Sequence, residues 1–161
     1  MAAERALSIM IITVSDRAAA GVYQDRSGPA VEEELLGSFP DCRVERRIVP
    51  DEPEPLRAAL ESGGTFDVVL TTGGTGLGPR DITPEVTKAL CDRELPGIAE
   101  MLRFESRKEV PTAILSRGVA GSRGRSIYVN LPGSVNGARS CTRMLLPILE
   151  HAVEMVAGGD H

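Results

Sequence analysis

The 161-residue sequence predicts an α/β fold: a three-layer α/β/α single domain over residues 1–161 with a mostly parallel central sheet. Three observations carry that prediction. Apolar runs of strand length, rich in β-branched residues, recur along the chain. Segments with apolar residues at helical spacing alternate with them. Polar or glycine-rich turns stand directly after most of the apolar runs.

Each element follows from local chemistry. ALSIMIITV at 6–14 is a buried first strand, ending at Ser15-Asp16-Arg17 and a loop of small residues at 18–21. DRSGP at 25–29 leads into a helix whose apolar side is Val31, Leu35 and Leu36, with Glu32, Glu33 and Glu34 facing water or the helix start. Residues 42–49 alternate loosely as a second strand and stop at Pro50-Asp51-Glu52-Pro53. A modest helix then turns Leu56, Ala59 and Leu60 inward. Val68-Val69-Leu70 form a strand covered on both faces, which breaks into Gly73-Gly74-Thr75-Gly76. Thr83 before Pro84 has the order of a helix N-cap followed by a first-turn proline, and that helix continues to residue 90. Residues 91–97 read as a turn, 98–108 as a helix, and 111–115 as a short strand or extended segment. SIYVNL at 126–131 is the last clear strand. A helix over 135–156 follows, with Pro147 kinking or splitting it, and 158–161 make a frayed tail.

Composition removes several function classes. A net charge of −5 argues against a phosphate-backbone binder, and 3% aromatic content without Trp argues against base stacking. Cys42, Cys91 and Cys141 are scattered, form no CxxC pair, and read as reduced thiols. The apolar run at 9–14 is too short to span a membrane, and no secretion signal is visible. The expectation is a cytoplasmic protein with neither a nucleic-acid nor a membrane partner.

The polar turns point to a site. Ser15-Asp16, Asp51, 72–75, Ser116 and 130–134 all follow apolar runs, so a parallel sheet would gather them at one edge, where open α/β sheets bind ligands. Ordinary turn composition explains any single cluster as well. Four glycines in the six residues 73–78 bring bare backbone N–H groups close to whatever lies above the strand end. No Gly-Lys-Ser/Thr follows, and the loop is not GxGxxG with a later acidic residue, so neither a Walker A loop nor a standard dinucleotide site is present. Asp51 and Asp81 each sit in a turn near a strand end. Carboxylates beside phosphates need a hard cation between them, and Mg²⁺ held by one or two carboxylates plus substrate phosphates meets that need. The structural alternatives are an N-cap role for Asp51, and for Asp81 an ion pair with Arg80 or a turn bond. Asp16 and Asp25 read as loop-fixing groups.

In these blocks the chain resembles the MogA/MoaB-type molybdenum cofactor biosynthesis proteins. The matching residues are TVSDR at 13–17, DRSGP at 25–29, VPDE at 49–52 and TTGGTGLGPRDITPE at 71–85. DRELPG at 92–97, TAILSRGVAG at 112–121 and NLPGS at 130–134 complete them, in order over nearly the whole chain. The acidic blocks look like the MogA branch, the molybdopterin adenylyltransferases, rather than a non-catalytic MoaB-like molybdopterin carrier. The chain ends soon after its last helix, short of the extended C-terminal region of some bacterial members. The resemblance implies ATP and molybdopterin as substrates, Mg²⁺ as cofactor, adenylyl-molybdopterin and pyrophosphate as products, a homotrimer, and hand-over to a molybdate-inserting enzyme. By motif match it makes Asp51 and Asp81 the carboxylates that hold Mg²⁺ and position the nucleotide. It places Gly73, Gly74, Thr75 and Gly76 along the nucleotide phosphates, and Ser116, Asn130, Gly133 and Ser134 around the pterin and its phosphate.

Overall fold

The computed structural model describes residues 5–159. Its six-stranded sheet has the order β2-β1-β3-β6-β5-β4. These strands are β1 (Ser8–Val14), β2 (Arg43–Val49), β3 (Val68–Thr72), β4 (Arg93–Glu94), β5 (Ala120–Arg123) and β6 (Ser126–Leu131). The first three and β6 run parallel, so their carboxyl ends share one edge; β4 and β5 complete the sheet antiparallel.

Strand residues alternate between two cores, as a period of two demands. Ile9, Ile11, Val68, Leu70, Ile127 and Val129 pack toward α2 (Ser27–Ser38), α5 (Pro96–Ser106) and α6 (Val135–Val156). Met10, Ile12, Val69 and Tyr128 pack toward α3 (Pro53–Ser62) and α4 (Thr83–Leu90). Both faces are covered, so the three-layer expectation stands. The layer on the first face is tied by charge as well: Arg139 and Arg143 of α6 bind the Glu34 carboxylate of α2.

Several local readings are corrected. Residues 16–19, read as turn and loop, form a single-turn helix, α1 (Asp16–Ala19), capped by the Ser15 hydroxyl. Pro111–Leu115 is a 3₁₀ helix and not an extended segment; Pro111 fixes its first turn and the Ala113 N–H closes on the Val110 carbonyl. The turn at 91–97 contains β4, which pairs with β5, a strand too small and glycine-containing to show an apolar signal. Leu36 is 39% exposed and does not belong to the buried side of α2. The helix read at 98–108 starts and ends two residues earlier, with Pro96 in its first turn. Pro147 does not split α6, because it lies on the exposed face, where water can take the carbonyl its ring leaves unbonded. Of the frayed tail, residues 160–161 lie outside the described residues; Gly158 is left-handed at φ +84°. No helix among the described residues is long and apolar enough to cross a membrane.

Candidate active site

The site stands at the carboxyl edge of the parallel strands, where β3 leaves the sheet as the glycine loop. Gly73 and Gly74 are both left-handed, at φ +96° and +68°, a sequence of conformations that only glycine enters without strain. Space also demands them. A Cβ on Gly73 would meet the Val14 carbonyl oxygen at 2.4 Å, and one on Gly74 would meet the Thr83 hydroxyl at 2.2 Å. Gly133 packs on the loop from β6, 3.2 Å from the Gly73 Cα measured from its own would-be Cβ.

Both predicted aspartates face this loop. Asp51 Oδ1 lies 3.3 Å from where a Gly74 Cβ would sit; Asp81 Oδ2 lies 2.9 Å from the equivalent points on Gly76 and Gly78. Asp81 is held by the Gly78 N–H, which donates to Oδ2 at 2.9 Å. The N-cap alternative for Asp51 does not hold, since Glu52 takes that position on α3. The ion-pair alternative for Asp81 does not hold either: Arg80 grips Asp16, Nε to Oδ2 at 2.6 Å and Nη2 to Oδ1 at 3.0 Å. The turn bond of Asp81 is real.

Electrostatics separate the acids. The Arg80 hydrogen bond holds Asp16 below the usual carboxylate range. Asp51 goes the other way: burial pushes it up, and the charges of Asp16 and Asp81 add to that, against the pull of its bond to the Asp16 backbone. Asp25 is a loop-fixing group. It is buried and accepts from the Thr13 hydroxyl at 2.7 Å and the Gly28 N–H at 3.1 Å.

The residues that the resemblance places around the pterin divide. A cavity of about 760 Å³ opens between the glycine loop, α5 and the start of α6, lined by Thr75, Gly76, Ser116, Asn130 and Ser134 among others. Neither Asp51 nor Asp81 lines it, so the acidic pair and the cavity are distinct parts of one edge. Gly133 is outside the lining and serves the close approach to Gly73. The Asn130 amide is already committed: its Nδ2 donates to the Thr71 and Thr87 hydroxyls at 3.0 Å each, and its Oδ1 accepts from the Val119 N–H. Ser134 caps α6 by accepting from the Gly137 N–H, which aims that helix's positive end at the cavity. The Gly73 N–H is likewise spent on the Leu131 carbonyl, so the loop's donors are not all open to a ligand.

Two roles escaped the sequence reading. Thr83 is not the N-cap of α4; Ile82 is, and the Thr83 N–H donates to the Gly74 carbonyl at 3.1 Å. Its hydroxyl is buried with no hydrogen-bond partner, an expensive state for a polar atom. Arg117 reaches the loop from the segment before β5 and donates to two of its carbonyls. No local pattern marks either role.

The site so described can seat phosphates on a glycine ledge and set carboxylate oxygens beside them. The sequence profile of the family described as "Probable molybdopterin binding domain" matches residues 10–151. The molybdopterin adenylyltransferase of Helicobacter pylori strain J99 is 41% identical over 156 residues, covering 94% of this chain and 89% of that protein. The molybdopterin adenylyltransferase of Escherichia coli K12 is 45% identical over 131 residues, 79% of this chain and 67% of that one. Among solved structures, the molybdopterin biosynthesis enzyme MoaB of Thermus thermophilus superposes with a TM-score of 0.87 at 45% identity, covering 94% of this chain and 97% of that one.

Proposed function

The chain belongs to the probable molybdopterin binding domain family, and from that membership we propose that it is a molybdopterin adenylyltransferase. It transfers AMP from ATP to the terminal phosphate of molybdopterin and releases pyrophosphate. The observation that carries this reading is the joint orientation of Asp51 and Asp81 onto the glycine loop.

The chemistry asks for positioning and charge neutralisation. A phosphate oxygen of the pterin attacks the α-phosphorus of ATP, the bond to pyrophosphate breaks, and no covalent enzyme intermediate is needed. The loop glycines let the nucleotide phosphates approach the backbone closely. The cavity, with Ser116 on one wall and the α6 N-terminus on another, is of a size to take the pterin and its phosphate. The residues present fit a Mg²⁺ ion. Asp51 and Asp81 offer hard oxygen donors, and the unbonded Thr83 hydroxyl sits beside Gly74 near Asp51 Oδ1. An ion held by one or two carboxylates takes its remaining ligands from substrate phosphates and water. When bound, Mg²⁺ supplies neutralisation of charge on the phosphate oxygens. Asp51 and Asp81 would hold it.

The same reading makes the protein a cytoplasmic homotrimer that hands its product to a molybdate-inserting enzyme. The exposed apolar side chains Phe104 and Ile114, which do not line the cavity, give subunit contacts a surface. The decisive measurement is pyrophosphate release from Mg-ATP with and without purified molybdopterin. Release that depends on molybdopterin is expected. Molybdopterin binding without nucleotide binding or pyrophosphate would instead make the protein a carrier.

A further inference from the structure

Arg117 has no place among the ligand-contacting groups above, yet its side chain joins both ends of the loop that carries Asp81. Its Nε donates to the Gly76 carbonyl at 2.7 Å and its Nη2 to the Asp81 carbonyl at 2.6 Å. Its Nη1 pairs with the Glu85 carboxylate, and its backbone N–H donates to the Thr75 carbonyl at 2.9 Å. The two carbonyl bonds are part-buried, whereas the pair with Glu85 is exposed. Within the span so tied, the Asp81 N–H donates to the Gly78 carbonyl and the Gly78 N–H returns a bond to Asp81 Oδ2.

A guanidinium presents donors in a rigid planar fork, and that geometry suits two carbonyls at fixed separation. An ammonium is a point charge on a flexible stem and cannot hold the same pair in the same plane. We propose that Arg117 is the positioning residue for Asp81: it clamps the loop at Gly76 and Asp81 and thereby fixes the direction of the Asp81 carboxylate. The ion pair to Glu85 is incidental to this task, because an exposed pair contributes little.

The test compares Arg117→Lys, which keeps the charge, with Glu85→Gln, which removes the ion pair and keeps the fork. Amide hydrogen exchange on the full chain gives a readout that needs no turnover. Arg117→Lys should speed exchange at Gly78 and Asp81 about tenfold or more while Ile11 and Leu70 keep their protection. Resting on the adenylyl-transfer reading, kcat should fall about 10–100-fold with KM for molybdopterin within about threefold, the mark of a misplaced group and not of lost binding. Glu85→Gln should match the parent protein in both measurements. Parent-like exchange at Gly78 and Asp81 in Arg117→Lys overturns the proposal. So does an equal loss in Glu85→Gln, or a loss of protection that extends to Ile11 and Leu70. If the parent protein releases no pyrophosphate, the functional reading fails alone, and the exchange data still judge the clamp.

Discussion

Asp16 and Asp51 bind each other's backbone. The Asp16 N–H donates to Asp51 Oδ2 and the Asp51 N–H donates to Asp16 Oδ1, both at 2.9 Å. The exchange locks the turns that follow the neighbouring strands β1 and β2, where a Ser15 N–H bond to the Val49 carbonyl already continues the ladder. It also crowds two carboxylates. Arg80 relieves Asp16 with a bidentate grip and leaves Asp51 the acid with a raised pKa, facing the glycine loop.

The first consequence is a pH-dependent stability. Because burial raises the Asp51 pKa, the folded protein holds this proton more tightly than the unfolded chain does. The contribution is therefore favourable below the ordinary aspartate value and is lost as pH rises through the raised one. Asp51→Asn should melt higher than the parent at pH 7, where the buried carboxylate is charged. The gap should close toward pH 3, and the variant should lack adenylyl transfer. Calorimetric melts between pH 3 and 8 check this; a variant that melts lower at pH 7 contradicts it.

Asp81 offers a cleaner separation of fold from chemistry. Its carboxylate has one bond, from the Gly78 N–H, and an amide oxygen can accept that bond equally well. Asp81→Asn should keep its melting temperature and its molybdopterin affinity while turnover falls by about 10²-fold or more, the scale set by removing a group that meets charge in the transition state. Parent-like pyrophosphate release from this variant would sink the role assigned to Asp81.

Thr83 tests whether the unbonded hydroxyl has a purpose. Thr83→Val keeps the shape and removes the buried oxygen, whose isolation costs roughly 1–3 kcal/mol. The variant should melt higher and bind Mg-ATP more weakly by about tenfold, measured by thermal melts and titration calorimetry. Undiminished Mg-ATP binding would show that the hydroxyl faces no ligand. A gain in stability with a loss of binding is the signature of a group kept for function.

Much of the arrangement was legible in the residues themselves. The apolar runs at β1, β3 and β6, the glycine and proline punctuation, and the polar turns after each run determined the α/β order and the edge where ligands collect. Those signals are local: strand burial, turn conformation and helix starts depend on near neighbours in the chain. The small strands β4 and β5 were not legible, because Arg93, Glu94 and Gly121 carry no apolar signal and pair only once the sheet exists.

Tertiary packing alone decided which polar groups remain for a ligand. Asn130 sits in a motif suited to binding, yet its amide is claimed by Thr71 and Thr87, 59 and 43 residues away. Thr83 sits where a cap belongs, yet its hydroxyl is buried against Gly74 with nothing to bond. Arg117 stands 36 residues from Asp81 and holds its carbonyl. A hydrogen bond is satisfied by whichever partner the fold brings within about 3 Å, so no pattern of neighbours along the chain can say which donors and acceptors are already spent.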